Sequence, residues 1–408
     1  MSNIGTRFSS RATVQTRGVL VGVSGQIGVG MIGYKFMGKS HSRAFRDVAR
    51  FMEPKLVPVM KALCGRDEAA VKQAAERFGW ESWETSVDKL LARDDIQLID
   101  ISAPGDVHKE IAVAAAKAGK HILCEKPLAN NLADAKEMLG AVESAGVSHM
   151  VAFNYRRVPA LRFARKLIQE GKLGRIFHWR AVYLQDWIVD PEFPLVWRLR
   201  KEAAGSGPLG DLGAHIVDLA QFLVGDITEV VSTTETFIKE RPLPAESTGL
   251  LSGKAGARRG EVTVEDAVLF LARFQNGALG SFEATRFATG RKNGLRLEIN
   301  GSGGSLAFDL ERLNELEYLE AGDPADTQGW KRILVTQPDH PYMSAWWPPG
   351  HIIGWEHTFV HEVYDFLNAI ADKTPAAPSF ADGVACQRVL EAAEVSAREK
   401  RWVSPQEV

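Results

Sequence analysis

The sequence predicts an α/β Rossmann domain followed by a C-terminal α+β domain with an open, mainly antiparallel sheet. Three observations carry this. Up to Asn154, short β-branched apolar runs alternate with segments of helical spacing, the pattern of a parallel, doubly wound sheet. Beyond it the alternation stops, and strand-like runs follow one another with a hairpin signal at Gln275-Asn276-Gly277. A glycine-rich segment from Gly28 to Ser40 joins the first apolar run to the first helical one.

In the first half the strands are placed at Gly28–Ile32, Lys55–Leu63, Ile96–Ala103, His121–Cys124 and Ser148–Phe153, and the helices at Gly38–Arg50, Glu68–Phe78, His108–Ala118 and Leu132–Ala145. In the second half a helix is expected at Pro159–Glu170, a long strand at Arg175–Trp187 and a helix at Asp211–Leu223. Strands follow at Val230–Ile238, Ala267–Phe274, Leu279–Arg286, Leu295–Asn300 and Ser305–Asp309. Pro242–Gly260, rich in Gly, Ser and Pro, reads as a long loop. Two closing helices are placed near Trp355–Ala371 and Asp382–Glu399. The expected domains are 27–154 for dinucleotide binding and 155–408 for substrate binding and oligomerisation, with the last helices free to pack back on the first domain. Residues 1–26, with three arginines and no acid, read as a flexible tail, with a targeting segment or a misassigned start as alternatives.

Composition narrows the function classes. Of 408 residues, 45% are hydrophobic and 25% charged, as in an ordinary globular chain. A net charge of -2 offers no basic field for nucleic acid. No apolar run reaches the about 18–20 residues of a membrane helix, so no membrane partner is expected. Three scattered cysteines suggest neither a disulfide framework nor a metal site, and fit a cytoplasmic protein. His357 and His361 imitate zinc-protease spacing, but the motif's Glu is absent, and a polar helix face is the better reading.

The segment Gly28–Ser40 supports three readings. G-x-G-x-x-G matches at Gly28, Gly30 and Gly33, but Val29, Met31 and Ile32 put that match inside the strand, where no pyrophosphate reaches. G-x-x-x-x-G-K-S matches at Gly33, Gly38, Lys39 and Ser40, the pattern of a P-loop nucleotidase, with Asp100 as a candidate magnesium-binding acid. In the third reading Gly33 makes the tight turn of a dinucleotide fold and Gly38 packs the helix. The amides of Phe36 and Met37 then face the pyrophosphate. Alone, the segment slightly favours the P-loop; the motifs farther along the chain reverse that.

Glu125-Lys126-Pro127 ends the apolar run His121–Cys124, which puts a Lys at the carboxyl end of a strand, where ligands bind in open α/β sheets. Farther on, Gly210-Asp211-Leu212-Gly213-Ala214-His215 places Asp211 and His215 four apart on one helical face, a possible acid–base pair unless Asp211 only caps the helix. These motifs and their order, with Met150–Arg157 (M-V-A-F-N-Y-R-R), Tyr183–Trp187 (Y-L-Q-D-W), Ala204–Leu212 (A-G-S-G-P-L-G-D-L) and Glu240–Leu243 (E-R-P-L), resemble the glucose–fructose oxidoreductase / inositol dehydrogenase / MocA family. Within that family the chain is most similar to the levoglucosan dehydrogenase-like sugar dehydrogenases.

The resemblance implies an NAD or NADP cofactor, a small-molecule sugar or polyol substrate, and a homodimer or homotetramer. It matches Lys126, Asp211 and His215 to the family's catalytic Lys, Asp and His. His215 would accept the hydroxyl proton, Lys126 would steady the charge growing on the oxygen, and Asp211 would position the hydroxyl and orient His215. Ser102, Pro104 and His108 would lie by the nicotinamide with Glu125 and Lys126, and Trp197 and Arg198 near its end. Tyr155, Arg156, Gln185 and Trp187 would meet the sugar. At the end of the second strand Gly65 stands where an NAD enzyme usually carries an acid, and Arg66 follows. That pair suits a 2′-phosphate, whereas the resemblance points to NAD. A non-catalytic sugar or dinucleotide sensor is the remaining alternative.

Overall fold

A computed structural model describes residues 25–246 and 254–408; the expected N-terminal tail, up to residue 24, lies outside the described residues. The strand–helix alternation becomes β1 (Gly25–Ile32), α1 (Phe36–Phe51), β2 (Leu56–Cys64), α2 (Glu68–Phe78), β3 (Ser82–Glu84), α3 (Val87–Leu91), β4 (Leu98–Ile101), α4 (His108–Lys117), β5 (His121–Glu125), α5 (Leu132–Ala145) and β6 (His149–Ala152). The strands form one six-stranded sheet in the order β3-β2-β1-β4-β5-β6, every neighbouring pair parallel. The order reverses at β1 and β4, and ligands of such sheets bind in the crevice this opens at the carboxyl ends of the strands. Local signals set the helix ends. Asp67 accepts from the amide of Ala70 and starts α2, Asn131 accepts from that of Asp134 and starts α5, and Gly79 and Gly146 close the two helices at positive φ. The short β3 and α3 were not anticipated, since three and five residues are too few to carry a period.

The second half runs α6 (Pro159–Gln169), β7 (Ile176–Leu184), α7 (Lys201–Ala204), α8 (Ala214–Leu223), β8 (Ile227–Glu235), β9 (Glu240–Glu246), β10 (Lys254–Glu261), β11 (Ala267–Phe274), β12 (Leu279–Thr285), β13 (Gly294–Gly301), β14 (Gly304–Asp309), β15 (Glu315–Glu320), β16 (Lys331–Leu334), α9 (His357–Asp372) and α10 (Phe380–Glu399). The large sheet has the order β16-β15-β14-β13-β7-β12-β11-β8. Its pairs are antiparallel except β7 with β12, which is parallel. Asn276 and Gly277 make the β11–β12 turn as expected, with Gly277 at φ 86°.

Two expectations need correction. Pro242–Gly260 is not one loop: β9 and β10 pair antiparallel through it, with register shifts, and residues 247–253 between them lie outside the described residues. Its Gly and Pro content masked the pairing. The helix expected at Asp211–Leu223 is instead a π-helical turn, Leu209–Gly213, followed by α8.

Helix α9 returns to the first domain, where Phe359, Val360, Phe366 and Leu367 share a buried cluster with Ala44, Phe45 and Val48 of α1. Arg156, expected at the sugar, is committed elsewhere. Its guanidinium is buried against Asp218 of α8 at 2.6 Å and reaches Asp382 of α10 at 3.2 Å. Burial pushes the Asp218 carboxyl up to about 6 despite the opposing Arg156 charge. Arg156→Ala is expected to strand that carboxylate and to cost about 3–5 kcal/mol in denaturant unfolding. Arg156→Met with Asp218→Leu should cost much less, because both buried charges then go together. Equal losses in the two variants would contradict the structural role.

Candidate active site

The turn after β1 is short: Gly33, Tyr34 and Lys35 separate the strand from α1. Gly33 has φ 107°, and a Cβ there would lie 2.6 Å from the Ser102 carbonyl oxygen; one on Gly38 would lie 2.1 Å from the Gly33 carbonyl oxygen. The backbones therefore meet at distances only glycine permits. Lys35 supplies no side-chain cap and the first turn of α1 holds no acid, so the helix start at Phe36 and Met37 keeps its amide donors for an anion. These features fit a dinucleotide pyrophosphate. They do not fit a P-loop. Gly38 and Lys39 lie inside α1, Ser40 Oγ donates to the Phe36 carbonyl, and Asp100 is buried against His41 and Ser102. The match at Gly28 and Gly30 lies within β1, as expected.

At the end of β2, Gly65 lies beneath Tyr34: a Cβ would meet the Tyr34 ring at 2.2 Å. An acid cannot take this place unless Tyr34 moves. Asp67 is held as the cap of α2. Ser102 lies at the end of β4, and Pro104 is exposed just before α4. His108 does not face this edge. It is buried, with Nδ1 3.2 Å from the Leu128 carbonyl oxygen and Nε2 2.9 Å from that of Ala103, so it ties two loops together, a correction to its expected cofactor contact.

Lys126, at the carboxyl end of β5, reaches into the second domain. Its ammonium donates to the carbonyl oxygen of Asp211 at 2.8 Å and to Oδ1 at 3.2 Å. Two arginines complete the cluster: Arg286 donates to Oδ2 at 2.8 Å, and Arg198, lying over the Trp197 ring, comes within 3.5 Å of Oδ1. Burial works against the Asp211 charge, but Arg198, Lys126 and Arg286 together hold the carboxyl well below the usual carboxylate range. Asp211 is thus a permanent anion spent on cations. It is not a helix cap, nor does it hold His215 Nδ1, which is buried without a hydrogen-bond partner. Asp211 lies in the π-helical turn, and His215 follows on α8.

His215 packs on Tyr155 with ring centroids 4.4 Å apart and on Tyr183 at 5.8 Å. From there a hydrogen-bonded chain runs outward. The Tyr155 and Tyr183 hydroxyls are 2.8 Å apart, and Tyr183 donates to Asn293 Oδ1 at 2.7 Å. Gln185 donates to the same oxygen at 3.0 Å, and Trp187 donates to Gln185 at 2.9 Å. Lys126, Asp211, His215, Tyr155, Gln185, Trp187, Trp197 and Arg198 are therefore brought together; Arg156 and His108 are not. Sequence reasoning missed Arg286, Tyr183 and Asn293. The two-residue period of β7 could have paired Tyr183 with Gln185, since both lie on one face. Nothing local distinguishes Arg286 or Asn293 from other loop residues.

Burial lowers the His215 imidazole well below its usual value of 6.5, Lys126 adds to this, and Asp211 opposes it. The proton-accepting neutral ring is thereby favoured. The acid limb of kcat/KM for alcohol oxidation is expected below pH 6.5 and should vanish in His215→Asn, with a loss of about 10²–10⁴-fold in rate. A limb above 6.5 that survives the substitution would assign the titration to another group.

Comparison with known proteins gives the family. Residues 27–153 match the oxidoreductase family with an NAD-binding Rossmann fold, and residues 161–307 match the GFO/IDH/MocA C-terminal domain. The chain is 44% identical to levoglucosan dehydrogenase of Pseudarthrobacter phenanthrenivorans over 92% of its length and 97% of that protein's. An oxidoreductase domain protein from Kribbella flavida superposes with a TM-score of 0.89 at 55% identity, covering 93% of this chain and 99% of the other. Levoglucosan dehydrogenase in complex with NADH and levoglucosan superposes with a TM-score of 0.88 at 43% identity, over the same shares of the two chains. The Rossmann sheet with its glycine turn, the mixed second sheet and these matches over most of the length together make the chain a member of the GFO/IDH/MocA oxidoreductase family.

Proposed function

We propose that this protein is an NAD-dependent dehydrogenase acting on a secondary hydroxyl of a sugar, anhydrosugar or cyclic polyol. The Lys126 ammonium bonded to Asp211, with His215 close enough to feel both charges, at the edge where the glycine turn fits a dinucleotide, carries this reading. Bound NAD supplies the hydride acceptor. The chain supplies the rest. Lys126 spends two donors on Asp211 and keeps a third for the substrate oxygen, where it lowers the cost of developing negative charge. His215, kept neutral, takes the hydroxyl proton. Asp211 anchors Lys126 and offers acceptor capacity to a neighbouring hydroxyl. Tyr155, Gln185 and Trp187 provide the mixture of apolar faces and hydrogen-bonding groups that sugars require.

The named relatives, among them a levoglucosan dehydrogenase solved with NADH and levoglucosan, favour NAD and an anhydrosugar. These relatives outweigh the 2′-phosphate suggestion of Gly65 and Arg66. A sensor would have no use for a neutral buried imidazole beside a lysine at the hydride edge, so the catalytic reading is preferred. We place the protein in the cytoplasm, in keeping with its three free, buried cysteines; no helix among the described residues is long and apolar enough to cross a membrane.

A spectrophotometric screen of NAD and NADP against levoglucosan, inositols and common aldoses is expected to show NAD turnover, with levoglucosan or a close analogue preferred. Lys126→Ala should abolish that turnover while leaving NADH affinity within about threefold, because backbone amides grip the pyrophosphate. Turnover of none of these compounds, or a fully active Lys126→Ala, would overturn the reading.

A homodimer or homotetramer would use the uncovered face of the large sheet, where Leu269, Leu271 and Leu279 are exposed on neighbouring strands. Sedimentation equilibrium should give a mass at least twice 44.8 kDa, and Leu271→Lys should lower it. A wild-type monomer would refute this.

A further inference from the structure

His41 lies in the second turn of α1, just past the amides proposed to face the pyrophosphate, and is 1% exposed. Each ring nitrogen meets a carboxylate. Nδ1 is 2.6 Å from Asp100 Oδ2, on β4, and Nε2 is 2.9 Å from Glu125 Oε1, at the end of β5. The other carboxylate oxygens carry the network into the site. Ser102 Oγ donates to Asp100 Oδ1 at 2.6 Å, and the backbone N–H of Lys126 donates to Glu125 Oε2 at 3.1 Å. From α9, the Phe359 ring packs on His41 at 5.3 Å. Glu362 faces the same cluster with both carboxylate oxygens buried and without a partner. Burial pushes Glu362 up to about 8, with Arg157 and His41 opposing and Glu125 and Asp100 reinforcing.

We propose that His41 is a positioning residue for hydride transfer, a doubly hydrogen-bonded ring that sets Lys126 and the Ser102 loop at a defined distance from the pyrophosphate-binding helix. This rests on the dehydrogenase reading above. Ionised carboxylates only accept hydrogen bonds, so a ring held by two of them donates from both nitrogens and is an imidazolium. Burial opposes that charge, but Asp100 and Glu125 outweigh it and raise the ring well above its usual value. A neutral Glu362 then spares the cluster a further buried negative charge. One ring thereby joins three elements whose ends hold the pyrophosphate, the nicotinamide loop and the catalytic lysine. A neutral amide cannot span the same pair, because its two donors share a single nitrogen.

His41→Gln tests this. It is expected to lower kcat for the preferred sugar by about 10- to 100-fold, the scale of a small misplacement of a catalytic group. NADH affinity should stay within about threefold, since the backbone holds the pyrophosphate. The emission spectrum of bound NADH, which reads the nicotinamide surroundings without any sugar, should shift. Should the wild type oxidise no sugar, the dehydrogenase reading fails alone and the emission still decides the positioning role. A variant with a lower melting temperature but wild-type emission and kcat would make His41 merely structural and overturn the proposal. If His41→Gln does not fold, ring-¹⁵N histidine NMR of the wild type still decides: a ring protonated at both nitrogens at about pH 8 is expected, and its absence overturns the proposal.

Discussion

The Lys126 ammonium, at the end of β5, donates to both the carbonyl and the carboxylate of Asp211, which stands on the first turn of the other domain's helix. The site on both sides is organised around this contact. It ties the Rossmann edge, where a nicotinamide is expected, to the wall formed by the large sheet. It also restrains a flexible side chain that would otherwise sample many rotamers. Removing one partner leaves a largely desolvated charge, a costly outcome that makes the pair difficult to open.

Arg198 and Arg286 modify this contact. With three cations around one carboxylate, Asp211 remains ionised and the surroundings stay net positive. Burial, and Lys126 among these cations, disfavour an imidazolium at His215, with Asp211 opposing. Arg286 is 1% exposed and also lies over the Trp187 ring at 5.2 Å, so the same guanidinium links the electrostatics of the acid–base centre to an aromatic of the sugar wall.

The other side of the site is built by close backbone approach. Gly33 and Gly38 bring β1, the Ser102 loop and α1 within contact distances that a Cβ would prevent. Into this packing α1 carries His41, whose two carboxylate partners belong to the neighbouring strands. Helix α9, from the far end of the chain, closes over α1 with Phe359 and Glu362. The first domain's ligand edge is therefore completed by residues distant in sequence.

Local chemistry was legible in the sequence. The apolar period located the eight long helices and most of the strands, Asn276-Gly277 marked a turn, and Lys126, Asp211 and His215 stood out as residue types in motif context. The same signals failed where pairing is non-local or elements are short: β9 with β10, β3, α3, and the π-helical turn at Leu209–Gly213. Partner choice was also illegible. Arg156 and His108 have the chemistry of ligand residues, yet Asp218 and two carbonyl oxygens occupy them, whereas Arg286 and Asn293 carry no local mark and still reach the site. A sequence determines which groups a chain owns and which face of an element they occupy, because those follow from covalent geometry and period. Which buried charge meets which counter-charge depends on how separate elements pack, and only the tertiary structure decides that.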